Sequence, residues 1–297
     1  MDEPRWGVIG FGEVGSALAR HIAISSGREV RVTDPMLNEN PPPTHIRNRL
    51  GGFPVKIVPD VPSLVAGSDI VLSTVPPNVA GKVAEEAGKS LRGGLFIDLN
   101  SISPVEKQLA ASLFSNQGYT DGSILGSFAG KGIATPIALA GPRSEEAHEW
   151  LGRLGFKTSV VGPEVGGASA LKMCRSVFMK GLECLFVETL LAATQFGITE
   201  SVLETIEDTF SSYTFRPLAR MLVTTHAIHA GRRSHEMHGV VDMLDELQMP
   251  HQMSSGARDF LAATSQTGIA EHFDGAVPKD LDEVIRVLNH LYKEGVS

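Results

Sequence analysis

The stretch Gly10-Phe11-Gly12-Glu13-Val14-Gly15 decides how this 297-residue chain begins to fold. It follows an apolar run, Trp6 to Ile9, and precedes a helix-like run, Ser16 to Ile24. In that context the first glycine permits a tight turn after a strand, the second lets the backbone approach a pyrophosphate, and the third lets the helix pack closely on the sheet. The phosphates would bind at the helix N-terminus. The stretch therefore predicts a dinucleotide-binding turn formed by these six residues.

The second β-like run indicates which dinucleotide is bound. Glu29 to Thr33 ends at Asp34, 19 residues after the last glycine of the stretch. An acidic side chain at this point accepts hydrogen bonds from the adenosine ribose hydroxyls. Because a carboxylate repels the additional phosphate of NADP, we expect NAD, with NADP as the alternative if Arg47 or Arg49 binds that phosphate. Asp34 also has a simpler interpretation, as the residue that starts a turn before Pro35.

Composition and charge narrow the class of protein. No run reaches the roughly 18 apolar residues of a membrane-spanning helix. The net charge of −8 argues against a nucleic-acid partner, and the N-terminus carries acid where a secretory signal carries base. The cysteines and histidines show no metal-ligand spacing, so we expect no metal. The expectation is a cytoplasmic protein that acts on a small molecule and binds neither nucleic acid nor membrane.

The organisation of the chain changes near Gly162. Before it, β-like runs alternate with helix-like ones, which is typical of a parallel, doubly wound sheet. After it, the segment Glu164 to Phe196 lacks proline and repeats apolar residues at helical spacing. We therefore predict an α/β fold, with a Rossmann-type dinucleotide-binding domain over residues 1–162 and an all-helical domain over residues 163–297. The further strands are predicted at Val55 to Val58, Asp69 to Val75, Leu95 to Leu99, Gly118 to Asp121, Pro136 to Ala140 and Lys157 to Val161.

Two of these strands end in residues suited to ligand contact. One ends in Val75-Pro76-Pro77, and open α/β sheets bind ligands at this edge, so Val75 and Pro76 are expected to border the cofactor. An ordinary proline-closed loop is the alternative. The next strand ends in Asp98-Leu99-Asn100-Ser101-Ile102-Ser103-Pro104, whose last two residues suit a helix N-cap and first helical position. Since the cap does not need them, Asn100 is expected to contact the cofactor and Ser101 the substrate.

With these motifs the chain resembles the 3-hydroxyacid dehydrogenase superfamily, which includes 3-hydroxyisobutyrate and 6-phosphogluconate dehydrogenases. The resemblance covers nearly the whole chain. The glycine stretch matches the family's cofactor motif, and Asp98 to Pro104 is similar to its Asp-x-Ser-Thr-x-x-Pro element beside the substrate. Details of the C-terminal half resemble a less characterised subgroup. The resemblance also implies a homodimer.

A second family element holds the substrate carboxylate and is matched only in part. The family's Asp-Ala-Pro-Val-Ser-Gly-Gly corresponds to Asp121-Gly122-Ser123-Ile124-Leu125-Gly126-Ser127. Leu125 stands where the family has serine. The resemblance therefore implies that Ser123, Gly126 and Ser127 hold the carboxylate in its place.

The family's catalytic signature is a glycine-rich lead into a helix with lysine and, four residues later, asparagine. Gly166 to Lys172 fits the first part, and Ser176 stands in the asparagine position on the same helix face. Lys180 lies further round and is expected to bind an anionic tail of the substrate. Lys172 is also unusual by itself, because the helix around it begins with small and apolar residues. Desolvation there would lower the pKa of Lys172 and prepare it for proton transfer at neutral pH. The alternative is a lysine whose ammonium reaches solvent.

The C-terminal half offers one further candidate. His235-Glu236 stands where the family often has Lys-Asp, with Glu236 fourteen residues before Pro250. Glu236 either orients the substrate or Lys172, or forms an ordinary surface pair with Arg232 four residues earlier. Both interpretations stay open at this point.

Together these features predict an NAD(P)-dependent oxidoreductase. It would transfer a hydride between the nicotinamide cofactor and a small 3-hydroxy acid, with Lys172 as general acid and base and decarboxylation as an optional later step. One alternative is an imine or ketone reductase of the same architecture, whose substrate lacks a carboxylate, which would explain Leu125 and Ser176. Another is a module that binds NAD without turnover.

Overall fold

The computed structural model describes residues 3–294. The chain divides into two compact units, Met1–Val177 and Phe178–Ser297. The division falls inside a long helix, Gly167–Gln195, rather than near residue 162, where the sequence pattern changes from alternating strands and helices to helices alone.

The strands of the first unit form one sheet, and each predicted run overlaps one of them, although the sixth strand continues to Ile124, three residues past its predicted end, and the eighth to Gly162, one residue past. They are β1 Trp6–Ile9, β2 Val30–Thr33, β3 Val55–Ile57, β4 Ile70–Ser73, β5 Leu95–Asp98, β6 Tyr119–Ile124, β7 Ile137–Ala140 and β8 Thr158–Gly162. Their order is β3-β2-β1-β4-β5-β6-β7-β8, so β1 and β4 are neighbours at the point where the strand order reverses. Ligands of doubly wound sheets bind at the carboxyl edge beside this switch point. The predicted Rossmann-type fold is confirmed.

One pairing departs from the predicted parallel sheet. Over the described residues, β6 and β7 are antiparallel, with Asp121 opposite Ala140, whereas the other neighbours are parallel. A parallel return needs a crossover of about a dozen residues or more, usually built around a full helix. Residues 125–136 hold only a four-residue helix, Phe128–Lys131, and a short 3-10 turn. The chain therefore returns beside β6 in the opposite direction.

The helices of the first unit cover both faces of the sheet. They are α1 Glu13–Ser26, α2 Thr44–Leu50, α3 Val61–Ala66, α4 Pro77–Ser90, α5 Pro104–Ala111, α6 Phe128–Lys131 and α7 Ser144–Arg153. Neighbouring strand residues point to opposite faces: Val8 packs in one apolar cluster with Leu18 of α1, and Ile9 packs in the other with Leu64 of α3. Ser103 caps α5 as predicted, since its hydroxyl accepts from the Glu106 backbone N–H at 3.2 Å.

Among residues 178–294 the regular elements of the second unit are all helices. It contains the later part of α8 Gly167–Gln195, then α9 Thr199–Ser211, α10 Phe215–Glu246, α11 Gln252–Ser265, α12 Ile269–His272 and α13 Leu281–Glu294. Its small core includes Ala227, Ile269 and Val284. Within the described range, none of the helices has both the length and the apolar composition needed to cross a membrane.

Candidate functional site

The glycine turn between β1 and α1 has the geometry that its sequence predicts. Gly10 has φ +88°, and a Cβ there would lie 2.5 Å from the Thr74 carbonyl oxygen. A Cβ at Gly15 would lie 2.5 Å from Thr74 Oγ1, so the helix approaches the strand too closely for a side chain. At Gly12, by contrast, no heavy atom of the described chain would lie within 4 Å of a Cβ. The space in front of the turn is open.

The start of α1 can hold a phosphate. Among the described residues no side chain caps this helix, whose N-cap position is Gly12. The first N–H groups of a helix have no partner within it, and they carry the positive end of the helix dipole. An open space beside a glycine N-cap therefore fits the pyrophosphate of a dinucleotide.

Asp34 follows β2 and serves the turn in two ways. Its Oδ2 accepts a hydrogen bond from the Phe11 backbone N–H at 2.8 Å, and its Oδ1 accepts from the Met36 backbone N–H at 2.9 Å. The second bond is the turn start that the simpler interpretation of Asp34 predicts. The carboxylate also lines a cavity of about 560 Å³ together with Gly10, Val75 and Pro76. Phe11 itself is fully buried, so only its backbone faces the loop.

A second cavity, of about 390 Å³, opens at the carboxyl ends of β4, β5 and β6. It brings predicted cofactor residues together with predicted substrate residues. Those of the cofactor group are Glu13, Val14, Val75 and Asn100, and those of the substrate and catalytic group are Ser101, Gly126, Ser127 and Lys172. The remaining lining is mostly apolar: Pro77, Leu99, Ile124 and Phe128, with Thr74.

Lys172 and Ser101 form a side-chain hydrogen bond in the lining of this cavity. The Lys172 Nζ donates a hydrogen bond to Ser101 Oγ at 2.6 Å. Burial lowers the pKa of Lys172, and the positive charge of Lys107 lowers it further. The arrangement can therefore exchange a proton with a ligand near Ser101.

Asn100 fixes two strand ends to each other. Its Oδ1 accepts from the Val75 backbone N–H at 2.6 Å, and its Nδ2 donates to Ser73 Oγ at 3.0 Å. The residue is only 3% exposed. Although Asn100 lines the cavity, the hydrogen bonds of its side chain are made to the protein.

Two predicted substrate residues of the first unit lie away from the cavity. Ser123 is 1% exposed in β6, while its neighbour Ile124 lines the cavity, because successive strand residues point to opposite faces. Ser176 Oγ donates to the Lys172 carbonyl oxygen at 2.9 Å, so its hydroxyl is bonded to its own helix.

Lys180 and Glu236 belong to the second unit. The side chain of Lys180 is exposed on α8. Glu236 accepts a hydrogen bond from Arg232 one helical turn earlier, and both side chains are exposed. The surface pair that the sequence offered as one interpretation of Glu236 is therefore present.

One buried charged cluster next to the residues of the cavity was not predicted from the sequence. Lys107, Asp98 and Asp121 are each 0% exposed. Lys107 Nζ lies 2.9 Å from Asp98 Oδ1 and 3.4 Å from Asp121 Oδ1. The two aspartates stand inside quoted motifs, but Lys107 carries no signal of its own, because a lysine in an amphipathic helix is normally solvated.

Comparison with family models matches two parts of the chain. Residues 5–101 match the family described as NADP oxidoreductase, coenzyme F420-dependent. Residues 193–264 match a domain of unknown function, DUF1932. The first match contains the glycine turn, Asp34 and Ser101.

Individual relatives extend the match to most of the chain. The uncharacterised 28.5 kDa protein in the 7S RNA 5′ region of Methanothermus fervidus is 32% identical over 233 residues, covering 78% of this chain and 88% of the relative. A conserved protein of unknown function, whose structure reveals similarity with 3-hydroxyacid dehydrogenases, is 34% identical and has a TM-score of 0.61, covering 92% and 99%.

A more distant group of solved structures shares the fold. A variant imine reductase from Myxococcus stipitatus, solved in complex with NAD+, has a TM-score of 0.71 at 21% identity and covers 98% of this chain and 100% of its own. The same organism's enzyme has also been solved with NADP+.

Proposed function

Since this chain belongs to the 3-hydroxyacid dehydrogenase superfamily, in a subgroup with the uncharacterised Methanothermus fervidus protein, we propose that it transfers a hydride between NAD or NADP and a small 3-hydroxy acid. The observation that carries the proposal is the hydrogen bond from Lys172 Nζ to Ser101 Oγ, in the cavity that begins at the glycine turn. It sets a proton-transfer group beside the site where the turn would hold a dinucleotide.

The cofactor site would be formed by groups of the first unit. The N–H groups of the first turn of α1 would bind the pyrophosphate, and the nicotinamide ring supplies the hydride chemistry when bound. Asp34 uses two acceptor sites on the protein, and a carboxylate offers about four, so it can still accept from ribose hydroxyls. As far as the structure describes the chain, neither Arg47 nor Arg49 lines the cavity beside Asp34. We therefore propose that NAD is preferred over NADP.

Lys172 would move the proton. In the oxidation direction its neutral Nζ accepts the proton of the substrate hydroxyl, and its lowered pKa enlarges the neutral fraction near neutral pH. In the reduction direction the protonated Nζ donates to the forming alkoxide and stabilises its charge. Ser101 Oγ holds Nζ in place by accepting its hydrogen bond.

The substrate carboxylate would lie near Ser101, Gly126 and Ser127, which share the cavity. One observation favours a second candidate, a reductase of imines or ketones without a carboxylate. Among the described residues that line this cavity, Lys172 is the single basic side chain, and Glu13 is acidic. A charged acid would therefore have to share Lys172 with the reacting hydroxyl.

Turnover of NAD+ and NADP+ with a panel of 3-hydroxy acids and carboxylate-free alcohols tests the proposal. We expect reduction of NAD+ by an acid, lost in Lys172→Ala and retained in Lys157→Ala, whose exposed lysine lies outside the cavity. Turnover of neutral substrates alone would favour the reductase. Binding of the cofactor with no turnover would favour a non-catalytic module.

The second unit also supports our proposal of a homodimer. Along α8 it exposes a series of large apolar side chains, each 37% to 55% accessible: Phe178, Met179, Leu185, Phe186, Val187 and Leu191. Apolar surface of this kind marks an interaction site. Sedimentation should report a dimer that Val187→Asp dissociates and that Ile24→Lys, at an exposed position of α1, leaves intact.

A further inference from the structure

The buried cluster of Lys107, Asp98 and Asp121 contacts the two segments that carry the proton-transfer pair. Lys107 Nζ donates to Asp98 Oδ1 at 2.9 Å and to the Asp98 carbonyl oxygen at 2.6 Å, and it lies 3.4 Å from Asp121 Oδ1. Burying three charges is costly, and a buried ion pair is weak evidence for a gain in stability. Another role for the cluster follows from what each aspartate holds.

Asp98 holds the loop that carries Ser101. Asp98 is the last residue of β5, and its Oδ1 accepts from the Asn100 backbone N–H at 2.8 Å. Tyr119 Oη donates to the other carboxylate oxygen at 2.7 Å. Both oxygens of Asp98 are therefore occupied, and the backbone one residue before Ser101 is fixed.

Asp121 holds the start of the helix that carries Lys172. Its Oδ2 accepts from the backbone N–H groups of Gly166 and Ser169 at 3.1 and 3.0 Å, and its Oδ1 accepts from Ser169 Oγ at 2.8 Å. A carboxylate of β6 thus accepts from two backbone N–H groups at the beginning of α8, one just before the helix and one in its first turn. Lys172 follows Ser169 by three residues, on a neighbouring position of the same helix face.

Lys107 joins these two arms, because its ammonium contacts both carboxylates. These contacts connect Asn100, Asp98, Lys107, Asp121 and Ser169. The chain itself carries the connection from Asn100 to Ser101 and, through one turn of α8, from Ser169 to Lys172, and the bond from Nζ to Ser101 Oγ closes the circuit. The cluster has one positive and two negative charges, and the positive end of the α8 dipole compensates the excess. We propose that Lys107 is a positioning residue that holds Lys172 and Ser101 in register for proton transfer.

Lys107 also acts on Lys172 through its charge. The charge of Lys107 on α5 acts on Lys172, and Glu13 on α1 lines the same cavity, while Asp98 and Asp121 in the sheet contact Lys107 itself. After burial, the charge of Lys107 is the second cause that lowers the pKa of Lys172. Removing that charge should raise the pKa of Lys172.

Competitive acetylation of the full-length protein with acetic anhydride, followed by mass spectrometry across a pH series, measures Lys172 directly. The exposed Lys157 is the internal reference in every sample. In Lys107→Met we expect the titration midpoint of Lys172 to rise by on the order of one pH unit, the size typical of losing a nearby charge. With a substrate found in the panel of 3-hydroxy acids and alcohols, kcat should fall by up to about 100-fold, as for a misplacement of about 1 Å, while the Kd for NAD stays unchanged.

Two further variants keep the test informative if Lys107→Met fails to fold. Lys107→Met with Asp98→Asn keeps the net charge of the cluster while it removes the bridge. Ser169→Ala removes one hydroxyl that Asp121 accepts from. In each, we expect faster acetylation of Lys172 at high pH, because the start of α8 is held less firmly.

The labelling separates this inference from the proposed function on which its catalytic part rests. If a variant that folds and binds NAD as the wild type does leaves the midpoint, the labelling rate and kcat unchanged, Lys107 is only structural and the inference is wrong. If Lys172 labelling changes as expected but the wild type turns over no hydroxy acid or imine, the positioning role stands and the proposed function fails.

Discussion

Substitution of two glycines of the same turn should separate folding from cofactor binding. At Gly12 a Cβ would meet no described heavy atom within 4 Å, and the backbone there is extended, with φ −67° and ψ −163°, which alanine adopts. At Gly15 a Cβ would lie 2.5 Å from Thr74 Oγ1 and closer still to the Gly10 carbonyl oxygen. Gly12→Ala should therefore weaken cofactor binding, and Gly15→Ala should destabilise the fold.

The expected magnitudes follow from these contacts. Ordinary contact begins at 3.4 Å, so a methyl group at Gly15 is 0.9 Å too close to Thr74 and overlaps the Gly10 carbonyl further. Overpacking of this kind costs about 3 kcal/mol, the upper end of the usual range. For a unit of this size that lowers Tm by about 6 to 12 °C. At Gly12, loss of a glycine N-cap costs up to about 1 kcal/mol.

Cofactor affinity should change in the opposite order. A methyl group at Gly12 would occupy the space in front of the α1 N-terminus, where the pyrophosphate is expected. We expect Gly12→Ala to raise the Kd for NAD at least tenfold, which is about 1.4 kcal/mol. A Gly15→Ala protein that remains folded should lose less affinity for NAD, because its methyl group points at the protein and affects the cofactor only by displacing the turn.

Thermal unfolding and calorimetric titration with NAD measure both effects. Gly81→Ala is the matched control, because Gly81 lies in α4, is exposed, and would also place its methyl group in open space. It should raise Tm slightly through helix propensity and leave the Kd unchanged. A Gly12→Ala protein that binds NAD as tightly as the wild type would refute the assignment of the pyrophosphate to this turn.

Three further predictions concern single carboxylates and the pH dependence of the reaction. Asp34→Asn should reduce the preference for NAD over NADP about tenfold, because the carboxylate no longer repels the additional phosphate of NADP. The ratio of the two Kd values measures this preference, and an unchanged ratio contradicts the role of Asp34. Because its pKa lies below the ordinary 10.5, Lys172 should make the rate of substrate oxidation rise with pH through a midpoint below that value, and the rise should be absent in Lys172→Ala. The Glu188 carboxylate accepts hydrogen bonds from the Met253 and Ser254 backbone N–H groups at 2.9 and 2.8 Å and from Ser254 Oγ at 2.6 Å. Glu188→Ala should therefore lower the free energy of unfolding, measured in urea, by about 3 kcal/mol, and Glu188→Gln should lower it by less. Equal effects of the two substitutions would argue against these hydrogen bonds.

The strand-turn-helix unit could be read from the sequence because its causes are local. Gly10 and Gly15 are each confined by residues of the turn or of the segment after the adjacent strand, and the positive φ of Gly10 further limits what can replace it, whereas Gly12 leaves the space in front of the helix open. The cap of α5 by Ser103 is equally local. The central strands could be predicted for a related reason, since burial on both faces gives β1, β4 and β5 short apolar sequences.

Site residues that follow the ends of strands could be predicted from the sequence. Residues whose position depends on which side chains are buried could not. Ser101, Gly126, Ser127 and Lys172 share one cavity because parallel strands and the start of α8 bring them to the same edge. Ser123 was expected there as well, but the pleat of β6 turns it away.

The sequence by itself therefore determined the dinucleotide turn, the alternation of strands and helices, the helical second half and the candidacy of Lys172. Only the tertiary structure decided that β7 runs antiparallel to β6, that Lys107 is buried between Asp98 and Asp121, and that this cluster links Lys172 to Ser101. The physical reason is range. Local patterns record backbone conformation and which face is apolar, whereas the partner of a buried charge is chosen among residues distant in sequence, when the packed chain removes water from all of them at once.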